Sequence, residues 1–262
     1  MNCMVTGLSK SGTTILFASI RDSFPRDREC FFEPTTAAEF EHIVSRGLRT
    51  NTLTKALLGN LVEHSHVITR FDTMVLIVRD PRDQFISQML YQFYRFKVRG
   101  DRAGYECARD LLRRKIESPS TVSTIQLYDT IASLAGRHGS ENLAKRYDTL
   151  VRFREQYRPH TVRYEDFVDR KIEGLEGLSQ YLGMPVSIAS QVDDEHRRVV
   201  RTKTHGEWRA WLTAEDLEFI NRGVAESMRA LDYPVVSSVE SPAPIPVATT
   251  LEYVEQFRPG EP

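Results

Sequence analysis

The chain has 262 residues, 40% of them hydrophobic and 27% charged, which is the balance of a soluble globular protein with room for one large α/β core. Lysine and arginine total 35 against 36 aspartates and glutamates, so a net charge of −1 excludes a general pull toward nucleic acid or an anionic membrane; any anion site must come from local placement of basic groups. No window is apolar enough for a spanning helix, and Met1 stands so close to the first motif that no leader or anchor is expected before it. The three cysteines, Cys3, Cys30 and Cys107, are odd in number and lack metal-ligand spacing, so reduced thiols in the cytoplasm and no metal site are expected.

A short apolar run, Met4 and Val5, leads into Gly7-Leu-Ser-Lys-Ser-Gly-Thr-Thr14 and then into Ile15, Leu16, Phe17 and Ile20 at helical spacing. Strand, glycine-bounded loop and helix in this order aim backbone N–H groups and the positive end of a helix dipole at one point. Lys10 and the hydroxyls of Ser11, Thr13 and Thr14 converge there, making a cradle suited to phosphate. The lysine precedes Gly12 by two residues instead of following it, which departs from the common ATP-binding loop.

Residues 22–28, with Pro25, read as a loop, and Glu29-Cys-Phe-Phe-Glu33-Pro34 as a second strand or an extended edge near the first loop. A carboxylate beside two phenylalanines is partly desolvated and suits a proton acceptor, so Glu33 is a candidate base; a surface carboxylate beside a turn is the alternative. Residues 36–47 form a helix with Phe40, Ile43 and Val44 on one side. Lys55 follows, then His64 and His66 at a helix end or loop, with His64 a reserve base.

The unbroken run Met74-Val-Leu-Ile-Val78 marks a strand buried on both faces of a parallel sheet. Arg79 therefore emerges at its carboxyl end, the rim where open α/β sheets bind ligands, and Ser87, two turns into the next helix, can face the same ligand. Residues 90–120 read as helices with a loop around 100–104, their aromatics and arginines fitting either a solvated face or an acceptor-site lid. Two helices broken near residues 136–139 follow, then a strand running into a loop over 159–167, and helices over 175–182 and 213–231, the last with Thr213 as N-cap and Asp216 three residues on. Residues 237–250 read as an extended linker and 251–257 as a small packing element, giving one domain over 1–236 and a Pro/Ser-rich extension over 237–262.

Lys10-Ser-Gly-Thr-Thr14 together with Arg79-Asp-Pro-Arg-Asp83 and Ser87 resembles the 5′-phosphosulfate and 3′-phosphate motifs of sulfotransferases that use 3′-phosphoadenosine 5′-phosphosulfate (PAPS). The resemblance implies an α/β fold in three layers, a central, mainly parallel sheet of four or five strands flanked by helices and akin to the P-loop NTPases. It implies that Ser9, Lys10, Ser11, Gly12, Thr13 and Thr14 surround the 5′-phosphosulfate, with Arg79 and Ser87 on the 3′-phosphate. Tyr164-Glu-Asp166 resembles the segment after the family's last core strand, which implies an adenine contact for Tyr164. Aligning Gly206-Glu207-Trp208 with the family's basic loop places Arg201, Thr202 and Lys203 over the 3′-phosphate, with Arg201 the one clean match.

In carbohydrate-type members the proposed base is a glutamate a little over twenty residues after the loop lysine, and Glu33 stands 23 residues after Lys10. The cytosolic phenol and steroid branch has Lys-Thr-His where this chain has Lys55-Ala56-Leu57, so the missing histidine favours Glu33 as base, with Lys55 helping to position the sulfuryl group. The function so implied is sulfuryl transfer from PAPS to a hydroxyl of a carbohydrate or glycolipid-like small molecule, releasing 3′-phosphoadenosine 5′-phosphate (PAP), by a bacterial-type enzyme without a metal. Two other classes remain. One is an ATP- and magnesium-dependent P-loop kinase, disfavoured by the position of Lys10 and by Arg79 where a kinase wants an acidic residue. The other is a non-catalytic PAP-binding protein.

Overall fold

The computed structural model describes residues 1–24, 27–189, 192–193, 204–239 and 244–260. In chain order the first elements are β1 (Asn2–Gly7), α1 (Thr13–Ser23), β2 (Arg28–Phe32), α2 (Ala37–Gly47), β3 (Asn51–Leu57), α3 (Leu58–Glu63) and β4 (Thr73–Val78). The helices α4 (Pro81–Tyr91), α5 (Phe93–Arg99), α6 (Arg102–Glu117), α7 (Thr124–Leu134) and α8 (Leu143–Tyr157) come next. The chain then continues through β5 (His160–Arg163), α9 (Tyr164–Val168), α10 (Ile172–Leu182), α11 (Trp208–Trp211), α12 (Ala214–Ala230) and α13 (Val247–Glu255). Two compact units result, one from Met1–Arg79 and Leu150–Val200, the other from Asp80–Thr149 and Arg201–Pro262. Among the described residues no helix is long and apolar enough to cross a membrane.

The first unit holds a five-stranded sheet in the order β2-β3-β1-β4-β5, each neighbouring pair parallel. Having laid β3 on one side of β1, the chain lays β4 on the other, so the strand order reverses at β1, and the carboxyl ends of β1 and β4 flank the kind of switch point at which open α/β sheets bind ligands. Register brings Gly7 opposite both Leu57 and Ile77 at that edge. Every residue of β1 is buried, and Cys3, Val5, Leu53, Val75 and Ile77 pack with Leu16 and Ile20 of α1 and with Phe167 and Leu178 from the α9–α10 region. Burial also pushes the Cys3 thiol up to about 11, leaving it an inert packing group.

One stretch that the sequence leaves unassigned takes a structure here, and two local expectations change. The stretch around Lys55 is a central strand: Thr52 and Thr54 are fully buried, and β-branched threonine suits a pleated surface even where it interrupts an apolar pattern. The segment after β5 is the short helix α9 instead of a loop. Helix α1 also runs to Ser23, within the stretch expected as loop. By contrast, α2 starts as its residues suggest, with Thr36 and Glu39 completing a capping box.

In the second unit, Asp80 caps α4 by accepting from the Arg82 N–H at 2.9 Å, with Pro81 in the first turn. Aromatic residues of the stretch that fitted either a solvated face or an acceptor-site lid serve the core: Phe93 meets Phe96 and Tyr105 edge to face at 5.8 and 5.7 Å, all three fully buried. Tyr91 and Tyr94 lie against Phe257 instead. Helix α13 begins at Val247, inside the stretch expected as linker, and is tied to α6 by Arg109–Glu255 at 2.6 Å and by Tyr105 Oη donating to the Val254 carbonyl at 3.4 Å. Asp216 knots two helix starts together, accepting from Ser123 Oγ and from the N–H groups of Thr124, Ile125 and Thr213 at 2.6–3.2 Å. Burial works against its charge, yet these donors together outweigh that and hold the carboxyl below its ordinary value.

Candidate active site

The loop after β1 turns at two left-handed backbone positions, Lys10 with φ +68° and Gly12 with φ +98°. Glycine is required at both of its ends by close approach. A Cβ on Gly7 would meet the Ile77 carbonyl oxygen at 2.6 Å, and one on Gly12 would meet the Tyr164 ring at 2.4 Å. Gly12 is also the N-cap of α1, so it offers no side chain to the first-turn N–H groups, and an incoming anion can take them. Ser11 is 2% exposed, and both its N–H (3.1 Å) and its Oγ (2.7 Å) donate to the Leu8 carbonyl. Its hydroxyl proton thus pins the loop in this state. Thr13 and Thr14, also buried, open α1 beside it.

Arg79 leaves β4 as Tyr164 leaves β5, because register sets Val78 opposite Arg163. The guanidinium of Arg79, 7% exposed, donates from Nη1 to the Lys10 carbonyl at 3.1 Å and lies 4.3 Å over the Tyr164 ring. Lys10, Gly12, Arg79 and Tyr164 therefore form one contiguous cluster at the carboxyl edge of the sheet.

Glu33 and Lys55 form the second cluster. Phe32 pairs with Lys55 across β2 and β3, and the Glu33 N–H donates to the Lys55 carbonyl at 2.7 Å, so the two residues meet where β2 ends. Lys55 Nζ lies 4.0 Å over the Phe32 ring and forms an ion pair with the Glu33 carboxylate. The Lys55 side chain is 2% exposed and that of Glu33 is 38% exposed, so the pair reaches from the interior to solvent with the carboxylate outermost. Lys55 also pairs with Val5, two residues before Gly7 on the same face of the sheet. The reserve base His64 contacts the Thr35 carbonyl at 3.2 Å through Nε2 and packs on Phe40. An open cavity of about 330 Å³ lies between the end of β2 and α2, lined by Phe31, Phe32, Pro34, Ala38, His42 and neighbours, and Glu33 stands in the connection between those elements.

In the second unit Ser87 is buried on α4. The first turn of that helix anchors the Gly206-Glu207-Trp208 motif: the Asp83 carboxylate accepts from the N–H groups of Gly206 and, at 3.0 Å, Trp208. Arg82, clamped by Asp80 at 2.6 and 2.9 Å, lies 3.9 Å over the Trp208 ring. Arg201, Thr202 and Lys203 lie outside the described residues.

The sulfotransferase domain family model matches residues 2–230. This chain belongs to the sulfotransferase family. No curated protein sequence matches it. Among solved structures it resembles mouse sulfotransferase SULT7A1 complexed with PAP, at 14% identity, a TM-score of 0.57 and 88% coverage of each chain. At that identity the likeness concerns the fold, a parallel sheet flanked by helices, which agrees with the expected fold class.

Within this sulfotransferase, then, the expected site residues fall into groups. Lys10, Gly12, Arg79 and Tyr164 are brought into contact, as are Glu33 and Lys55, while Ser87 is carried by the second unit. Sequence reasoning missed Phe32 as the platform under Lys55, because a phenylalanine in a short apolar strand carries no sign of a cationic neighbour. It also missed the role of Asp83, which closes the Arg-Asp-Pro-Arg-Asp motif but whose partners stand more than 120 residues away.

Proposed function

We propose that this sulfotransferase moves a sulfuryl group from PAPS to an acceptor hydroxyl and releases PAP. The observation that carries the reading is the junction of Arg79 with the phosphate loop, where a buried guanidinium at the end of β4 is hydrogen-bonded to the Lys10 backbone. Glycines at 7 and 12 let the loop pack directly against the Ile77 carbonyl and the Tyr164 ring, and the start of α1 supplies N–H donors to a phosphate. These residues fit the 5′-phosphosulfate, from Ser9 through Thr14. Arg79 and Ser87, with Arg201, Thr202 and Lys203, are assigned to the 3′-phosphate, since guanidinium recognises phosphate oxygens in a forked geometry.

In the reaction the acceptor oxygen attacks sulfur, its proton passes to the Glu33 carboxylate, and the S–O bond to the 5′-phosphate breaks. The electron pair of that bond ends on the phosphate oxygen of PAP, where Lys10 and the loop N–H groups stabilise it. The ion pair with Lys55 aims Glu33, and once the acceptor is seated the same ammonium can hold the transferring sulfuryl oxygens. No step in this scheme calls for a metal. We assign the acceptor to carbohydrates or glycolipid-like molecules because a glutamate occupies the place of the base and Lys55 is followed by Ala56 and Leu57 instead of Thr-His. The phenylalanine-lined cavity beside Glu33 favours an acceptor with an apolar portion. A cytoplasmic setting fits three cysteines that remain free thiols.

The test is calorimetric titration of PAP and, separately, of ATP with magnesium into wild type and Arg79→Ala. Expected is PAP binding that the substitution weakens by more than about tenfold, roughly 1.4 kcal/mol. Preference for ATP, or indifference to Arg79→Ala, would defeat the proposal.

A further inference from the structure

We infer that Tyr164 is a positioning residue that sets the geometry of both phosphate-binding elements at once, acting through Gly12 and Arg79 and not by stacking on adenine. The inference rests on the PAPS reading above. Its basis is where the sheet delivers the side chain. With Val78 opposite Arg163, the next residues along, Arg79 and Tyr164, leave the carboxyl edge side by side, and the tyrosine ring is turned under the loop at 5% exposure.

The ring touches two parts of the cluster and reaches a third through one of them. Its Cδ2 and Cε2 atoms lie 2.4 and 2.9 Å from the place a Cβ on Gly12 would occupy, so it rests directly on the loop backbone. Its face carries the Arg79 guanidinium at 4.3 Å. That guanidinium in turn holds the Lys10 carbonyl at 3.1 Å, at a position whose φ of +68° is unfavourable for a side-chain-bearing residue. One buried ring thus braces the left-handed turn that aims the 5′ N–H donors, and orients the arginine assigned to the 3′-phosphate. Shortening it to an aliphatic side chain removes the cation–π surface and opens space beneath Gly12, letting both elements relax together.

The experiment uses the full chain and two probes, PAP and base-free ribose 3′,5′-bisphosphate, the second measured by competition. Tyr164→Leu is expected to weaken both probes by the same factor, at least tenfold, while Tyr164→Phe, which keeps the ring, stays within threefold of wild type. In an Arg79→Ala background the further cost of Tyr164→Leu is expected to shrink by at least threefold, because one of the two elements through which it acts is gone and only the loop contact remains. Amide exchange at Gly12 and Thr13 in the free protein should quicken in the leucine variant and not in the phenylalanine one. Tyr164→Met replaces the leucine variant if that does not fold. A loss confined to PAP assigns the tyrosine to adenine and overturns the inference, as does an undiminished cost in the Arg79→Ala background. If wild type binds no PAP, the PAPS reading itself has failed; if it binds PAP and Tyr164→Leu changes nothing, the positioning role alone has failed.

Discussion

Replacing Gly12 with alanine tests the loop geometry with a magnitude that can be worked from two separate costs. At φ +98° a side chain is in the left-handed region, which costs about 1–2 kcal/mol. The new methyl would also stand 2.4 Å from the Tyr164 ring, which is buried with Arg79 on its face and cannot simply swing to solvent; overpacking of this kind costs about 1–3 kcal/mol. The sum, roughly 2–5 kcal/mol, is a large part of an ordinary domain stability of about 5–15 kcal/mol without exceeding its upper range. Urea unfolding of Gly12→Ala should show this loss. The same substitution made in a Tyr164→Ala background should cost only the backbone part, about 1–2 kcal/mol, since the ring is no longer there to be struck. Equal costs in the two backgrounds, or a cost below about 1 kcal/mol in wild type, would refute the idea that the Tyr164 ring and the left-handed backbone together require glycine at position 12.

Three further outcomes are expected. Glu33→Gln should lower kcat by about 10²- to 10⁴-fold while leaving PAP affinity within threefold, because the carboxylate is assigned to proton transfer and lies outside the phosphate loop; a kcat near wild type in single-turnover assays would remove Glu33 from the chemistry. Asp216→Ala leaves buried N–H donors at the starts of α7 and α12 without their acceptor and should destabilise the protein by about 2–5 kcal/mol in denaturant melts at neutral pH. Because the folded state holds the Asp216 carboxyl below its ordinary value near 3.8, its contribution is fully present above that pH and is lost as pH falls through the lower, folded value. The acid limb of the stability profile should therefore flatten in Asp216→Asn, and an unchanged limb would count against the assignment.

The elements that announce themselves locally are those at the ends of β1 and β4. An unbroken apolar run followed by Arg-Asp-Pro, and a short run followed by a glycine-bounded loop, are signals contained within about fifteen residues, and both gave strand, loop and helix in that order. Capping chemistry was equally local at Thr213 and Asp216, though the reach of Asp216 to the start of α7 was not. β3 escaped notice because Thr52, Thr54 and Lys55 break the apolar pattern; only its place between β2 and β1 makes those residues interior. The aromatic run from Tyr91 to Phe96 fits both a solvated face and a lid on sequence alone, because composition reports which rings are present and not which way they face.

The sequence by itself determined the phosphate-suited loop around Lys10 and Gly12 and the arginine at a strand end, since each follows from residue type and spacing within one element, and the family resemblance those motifs carry implied the class of fold. Only the tertiary structure decided which groups these residues meet. Lys55 reaches Glu33 across 22 residues, Arg79 reaches the Lys10 carbonyl across 69, and Asp83 reaches Gly206 across 123. In the sheet such meetings are set by which strands are neighbours and in what register, and a one-residue slip would turn every side chain of a strand to the other face. No local pattern carries that information, so the loop could be read from its residues while the ring beneath it and the ion pair beside it could not.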